Sequence, residues 1–142
     1  MAIIQTLTTS FKVEVAQGLH NFTTGTGDVF KLALYTANAD LGASTTAYTT
    51  AGEVSGTNYS AGGSILTNIT PSFQGTTSYW SFQNATFTNV TLTTNGALIY
   101  NSTNGNRSVA VLNFGVNITK TAQDLVITFP VNDATNAVLR IA

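Results

Sequence analysis

The chain has 142 residues and a formal net charge of −1, with charged residues at 8% and hydrophobic ones at 43%. That length corresponds to one domain with enough surface to bury a core unaided, and the absence of cysteine excludes disulfides and Cys-based zinc sites. Five scattered basic residues, Lys12, Lys31, Arg107, Lys120 and Arg140, lack the clustering that phosphate-backbone binding needs, so nucleic acid is not an expected partner.

In chain order, Met1 to Thr6 lacks the basic start and long apolar stretch of a signal peptide, which predicts synthesis in a cytoplasm. Ser10 to Leu19 is the one predicted helix. Phe11, Val15, Leu19 and Phe22 recur at spacings that put them on one face, Ser10 is positioned as N-cap, and Gly18 weakens the far end. An opening strand is the alternative, because Val13 and Val15 alternate with Lys12 and Glu14. Phe30 to Tyr35 is the clearest strand, with Phe30, Leu32 and Leu34 on one side. Residues 37–47 form a long polar loop, Tyr48 to Val54 pairs briefly, and Ser55 to Gly63 is loop again. Ser64 to Ile69 reads as a strand with Ile65 inward, ended near Pro71.

Thr77 to Gln83 places Trp80 and Phe82 on one face, which assigns Trp80 to the core. Ala85 to Thr93 alternates through Phe87, Val90 and Leu92, with a phase slip near Asn89 that predicts a bulge or turn. Gly96 to Tyr100 is a short apolar strand, joined to Ser108–Phe114 by a hairpin at Asn104-Gly105. Leu125 to Phe129, closed by Pro130, and Ala137 to Ile141 complete the set. Seven to nine short strands separated by turn residues predict a single all-β domain over residues 1–142, a β-sandwich or jelly-roll-like fold with one short N-terminal helix. No apolar run approaches the ~20 residues of a membrane span, so no membrane association is expected.

The candidates for chemistry are few. His20 is the only histidine, and it lies outside any nucleophile-elbow pattern; a structural or merely exposed role is expected. The carboxylates Glu14, Asp28, Asp40, Glu53, Asp124 and Asp133 show no spacing that suggests an acid/base pair. Asn38-Ala39-Asp40-Leu41-Gly42 lacks the remaining ligands of a calcium loop, and Gly25-Thr26-Gly27-Asp28 precedes a strand, the wrong context for a dinucleotide loop. Tyr35, Tyr48, Tyr59, Tyr79, Trp80 and Tyr100 suit a sugar-stacking platform, a core or an interface. The eight Asn-x-Ser/Thr sequons follow from the richness in Asn and Thr. No catalytic, cofactor-binding or metal residue is assigned, and no enzyme activity is expected. A near-neutral, Thr- and Asn-rich exterior suits contact with other subunits; a secreted β domain with a bland surface is the alternative.

Several segments carry a resemblance. Lys31-Leu32-Ala33-Leu34-Tyr35-Thr36, Ala39 to Tyr48, Gly52-Glu53-Val54, Tyr59 to Gly63, Gly96 to Ser102, Val109 to Gly115 and Asp133 to Ala142 resemble a family of small virion structural proteins of tailed phages, cyanophages among them. The resemblance covers most of the chain from about Ser10 onward and leaves residues 1–9 as a possible N-terminal arm. It implies a virion component, with a capsid decoration (cement) protein favoured. Such a protein binds the phage major capsid protein across neighbouring subunits and stabilises the head by mass action. A homotrimer at local threefold positions follows from capsid symmetry. The loops Ala37 to Ala47 and Ser55 to Gly63, with the N-terminal segment, are the expected contacts. A receptor- or carbohydrate-binding module of the tail or baseplate is the alternative function.

Overall fold

A computed structural model describes residues 2–142; Met1, the first residue of the expected arm, lies outside the described residues. The elements are β1 (Thr6–Leu7), α1 (Thr9–Ala16), β2 (Phe30–Tyr35), β3 (Ser64–Ile65), β4 (Asn68–Gln74), β5 (Thr77–Phe82), β6 (Ala85–Asn101), β7 (Arg107–Ile127) and β8 (Leu139–Ile141). They form two antiparallel sheets, one of five strands in the order β1-β7-β6-β2-β3 and one of three in the order β4-β5-β8. The predicted all-β class with one short N-terminal helix is the fold the chain adopts. No helix among the described residues is long and apolar enough to cross a membrane.

The helix is capped two residues earlier than the sequence suggests, and it ends at Ala16 rather than Leu19. Thr8, not Ser10, is the N-cap, and its hydroxyl accepts a bond from the Phe11 amide at 3.4 Å. Thr8 is favoured because its extended backbone is already fixed by its amide bond to the Val109 carbonyl. The far end closes on Gly18, whose positive φ of 72° lets the Leu19 amide reach the Glu14 carbonyl and the Gly18 amide reach that of Val15. This is a Schellman stop, so Gly18 ends the helix rather than weakening it.

β2 has the bounds the alternation predicts, and both its faces are buried. Phe30, Leu32 and Leu34 enter the main core with Trp80 and Phe82 of β5 and Phe87, Ile99 and Val109 of the large sheet. Ala33 and Tyr35 enter a second cluster on the opposite face, with Ile3, Leu41, Leu98, Tyr100 and Val111. The loop 37–47 and the N-terminal residues cover that second face, which explains why β2 reads as a continuous apolar run. Phe22 and Phe30 stack at 4.3 Å in the middle of the main core. Each such ring stabilises by about 1.5–3 kcal/mol through burial alone.

Three readings need correction. The segment 64–69 is two strands, one in each sheet, and Ile65 points outward at 65% exposure while Leu66 is buried at 4%. A one-residue change of phase reverses every side chain on a strand, and here β3 stops after two residues. Second, Pro71 does not end its strand. It lies in β4, at the edge of the small sheet, where the register shifts between Ile69 and Ser72. An edge position at an irregularity is where proline costs no ladder bond.

Third, the four segments read between Ala85 and Phe129 are two long strands joined at residues 102–106. β6 absorbs the phase slip at Asn89 (φ 50°), and β7 absorbs three more, at Val109, near Gly115 (φ 80°) and at Ala122 (φ 50°). A bulge shifts the alternation by one without ending the pairing. At Thr94 the side chain replaces what the irregular ladder loses, its fully buried hydroxyl bonding the carbonyls of Tyr35 and Gly96.

Replacing Phe30 by Ala removes a fully buried ring that stacks on Phe22 and touches Phe82. Chemical denaturation is expected to show a loss of about 3–5 kcal/mol; a loss below about 1 kcal/mol would mean the two sheets are held from elsewhere.

Candidate functional site

His20, the only histidine, has a side chain with no exposed surface. Its Nε2 lies 2.9 Å from Glu14 Oε1, and its Nδ1 lies 3.1 Å from Asn101 Nδ2. Asn101 is oriented by its other bonds: its Oδ1 accepts from the amides of Thr103 and Asn104, and its Nδ2 also donates to Asp28 Oδ2 at 2.8 Å. The amide nitrogen therefore donates to Nδ1, which fixes the imidazole as the Nε2–H tautomer donating to Glu14. Arg107 Nη1 donates to the other Glu14 oxygen at 2.8 Å. One network thus joins α1, the 19–28 loop and the β6–β7 turn.

This brings together two carboxylates, a histidine and an arginine that are far apart in sequence, but it is a staple. Among the described residues the side chains His20 bonds are those of Glu14 and Asn101, with no Ser, Thr or Cys. Both Glu14 oxygens are engaged, and Glu14 is 7% exposed. General acid/base work needs a group within reach of a substrate proton, and here both Glu14 oxygens and both His20 ring nitrogens already face partners.

Glu53 is the hub of a second cluster. Tyr48 donates to Oε1 at 2.6 Å, while Tyr59 and the Gly62 amide donate to Oε2 at 2.7 and 2.8 Å. Tyr59 in turn accepts from the Leu34 amide, Tyr100 donates to the Gly62 carbonyl, and Tyr35 donates to the Thr49 carbonyl. Tyr48 and Tyr100 stack at 4.8 Å. Burial, and for Tyr48 and Tyr59 the bond to Glu53, hold the phenols of Tyr35, Tyr48 and Tyr59 well above the usual tyrosine range; burial also raises Tyr100. These four rings are consumed in pinning residues 47–63 to β2 and β6, and Trp80 is in the core as expected.

The remaining carboxylates act locally. Asp28 accepts from the Asn21 amide, Asp124 from the Asn89 amide inside its bulge, and Asp133 from Thr135 and Asn136. The Asn136 side-chain bond, then the backbone bonds of Thr135 and Asn136, hold the Asp133 carboxyl below its ordinary value. Asp40 is exposed. Among the described residues no group of three or more His, Asp and Glu is placed to hold a metal ion.

The segments expected to make contacts are rigidly held. Residues 2–9 lie along the domain: Ile3 pairs with Leu41, and the Thr9 amide bonds the Ala43 carbonyl. The N-terminal segment and loop 37–47 therefore form one surface, with Ile4 exposed at 61% beside buried Ile3 and Leu41. Loop 55–63 docks elsewhere, through reciprocal amide–carbonyl bonds of Thr57 and Thr91. A further surface was not anticipated. β1 covers β7 only at Ala110 and Val111, so the edge of β7 from about Phe114 to Val126 carries no strand among the described residues. Alternate polar residues Asn117, Thr119 and Thr121 were the sequence signal in that stretch.

Comparison with protein-family models, with curated proteins and with solved structures gives no match in any of the three.

Two outcomes test the staples. Glu14→Ala leaves the His20 N–H and Arg107 without their acceptor, and thermal denaturation is expected to show a loss of roughly 1.5–3 kcal/mol, discounted toward the lower end because Arg107 is partly solvated. Raising the pH tests the tyrosines. Their folded pKa values lie above the unfolded value of about 10, so the native state holds more protons and its stability is complete below that pH. It is expected to fall progressively above pH ~10, with the phenolate absorbance of Tyr35, Tyr48, Tyr59 and Tyr100 at 295 nm appearing only as the fold is lost. Free titration of those four tyrosines before unfolding would contradict the Glu53 cluster.

Proposed function

We propose that the chain is a non-enzymatic structural protein of a tailed-phage particle, most concretely a capsid decoration (cement) protein on the head surface. It binds the major capsid protein across subunit boundaries. The observation that carries this reading is the outer half of the β6–β7 pair. One face is packed in the core through Phe87, Val90, Leu92 and Leu125, while Thr86, Thr88, Thr91, Thr93, Thr119 and Thr121 are exposed. Along the open edge Val116 and Val126 are 64% and 51% exposed, and Lys120 and Asp124 are the only charges. Soluble monomers blunt such edges with charges, bulges or cover; here Lys120, Asp124 and the bulges at Gly115 and Ala122 interrupt the edge without covering it, and Val116 and Val126 stay exposed to a neighbour.

The segments 2–9 and 37–47 supply a second contact surface already held in shape, which lowers the entropic cost of docking. A homotrimer matches local threefold positions in a head lattice. The tail or baseplate carbohydrate reading has less to rest on, because four of the five tyrosines and Trp80 are engaged within the domain, leaving Tyr79.

Gold-labelled antibody on intact particles is expected to decorate the head evenly at high copy; label confined to the tail would overturn the proposal. The double variant Val116→Asp/Val126→Asp is expected to keep its Tm, since exposed substitutions cost within about 0.5 kcal/mol, and to lose most of its occupancy on heads lacking the protein. Full occupancy by that variant would move the contact away from β7.

A further inference from the structure

A groove runs between α1 and β8, enclosing about 250 Å³. Its walls are Leu7 of β1, Phe11 and Val15 of α1, Trp80 of β5, and Leu139 and Ile141 of β8. Trp80 and Val15 also line an adjoining hollow of about 430 Å³ at the end of the helix. The lining contains no carboxylate. Its two charged residues are Lys12, from the helix, and Arg140, from β8.

Every polar side chain in this lining is a donor. Lys12 forms no ion pair among the described residues. Arg140 donates one N–H to the Thr135 carbonyl and lies close enough to Asp133 to favour its carboxylate, leaving its other N–H groups without a hydrogen-bond partner among the described residues. Trp80 is 6% exposed, and its indole N–H is buried with no partner among the described residues. A buried donor left unsatisfied costs about 1–3 kcal/mol, and such a group in a native fold calls for an explanation. Apolar walls with donors and no acceptors fit one kind of occupant: an apolar body carrying an anionic, acceptor-only head.

We propose that the groove between α1 and β8 binds a small amphipathic carboxylate, an alkyl or aryl acid whose chain lies against Phe11, Trp80 and Leu139 and whose carboxylate sits between Lys12 and Arg140. The apolar contact supplies affinity by burial, and the two cations select for the anion through charge-assisted hydrogen bonds. This site is independent of where the protein resides in a particle, since it lies on α1 and β8 and not on the β7 edge.

Trp80 is the only tryptophan of the chain, so its emission reports the site directly. Titration with sodium decanoate, kept below its micellar range, is expected to give a saturable change in that emission. The neutral analogue 1-decanol is expected to bind about tenfold more weakly, the loss of one charge-assisted contact. The double variant Lys12→Ala/Arg140→Ala, both exposed positions, is expected to keep its circular dichroism and Tm and to weaken decanoate by at least about tenfold while leaving decanol unchanged. Should the double variant lose its fold, Lys12→Gln alone with amide chemical-shift mapping of Leu139 and Ile141 replaces it. Equal binding of decanoate and decanol, an unsaturable response, or shifts that avoid β8 would each overturn the site.

Discussion

The pairing of β6 with β7 is the constraint on which the rest of the molecule depends. Two strands of 17 and 21 residues form a ribbon to which nearly everything else is attached. A two-stranded ribbon alone is marginal in water. Near the turn it is covered on both faces, by the main core on one side and by Ile3, Leu41 and Tyr48 on the other. Further out only one face is covered, by Phe87, Val90 and Leu125 against the core. The ribbon thus divides into a rigid root and an outer half whose second face and edge meet solvent. The bulges at Asn89, Gly115 and Ala122 fall in or beside that outer half, adding twist where fewer neighbours resist it.

Because charges are so scarce, how they are used matters more than their number. Five of the six carboxylates are hydrogen-bonded inside the domain: Glu14 to His20 and Arg107, Glu53 to two tyrosines and an amide, and Asp28, Asp124 and Asp133 to nearby amides. Asp40 alone is left facing solvent without such a bond among the described residues. A carboxylate accepting several bonds fixes loop ends more firmly than a neutral acceptor does. Of the six, only Glu14 is buried, so the bonded acids hold loop ends mainly at the surface, among Thr, Asn and Ser.

The local parts of this design were legible from sequence, and the distant ones were not. The bounds of β2 follow from a clean alternation, the turn after β6 from Asn104-Gly105, and the slip at Asn89 from a broken phase. The unity of β6 and of β7 was hidden for the same reason the slip was visible: alternation marks a bulge and a strand end alike. Ile65 and Leu66 are adjacent and equally apolar, so only the bond from the Leu66 amide to the Phe30 carbonyl decides which turns inward. Glu14 meets Arg107 across 93 residues and His20 meets Asn101 across 81. No spacing rule reaches that far. Glu53 offered a hint, a lone acid between Tyr48 and Tyr59, which a search for buried acceptors among tyrosines could have used.

The two polar clusters also explain how a domain with mobile-looking sequence between its strands becomes a stiff body. Residues 37–63 contain no regular strand, yet Glu53 and its tyrosines tie the second half of the stretch to β2, and the Ile3–Leu41 pairing ties the first half to the N-terminus. Each tie satisfies backbone groups that the loop would otherwise leave exposed or buried unpaired. Stiffness of this kind is costly in a protein that must close over a substrate, where loops are drawn from the least stable parts of the fold. It is advantageous in one that must present the same surface to a fixed partner, because little ordering remains to be done at the moment of contact.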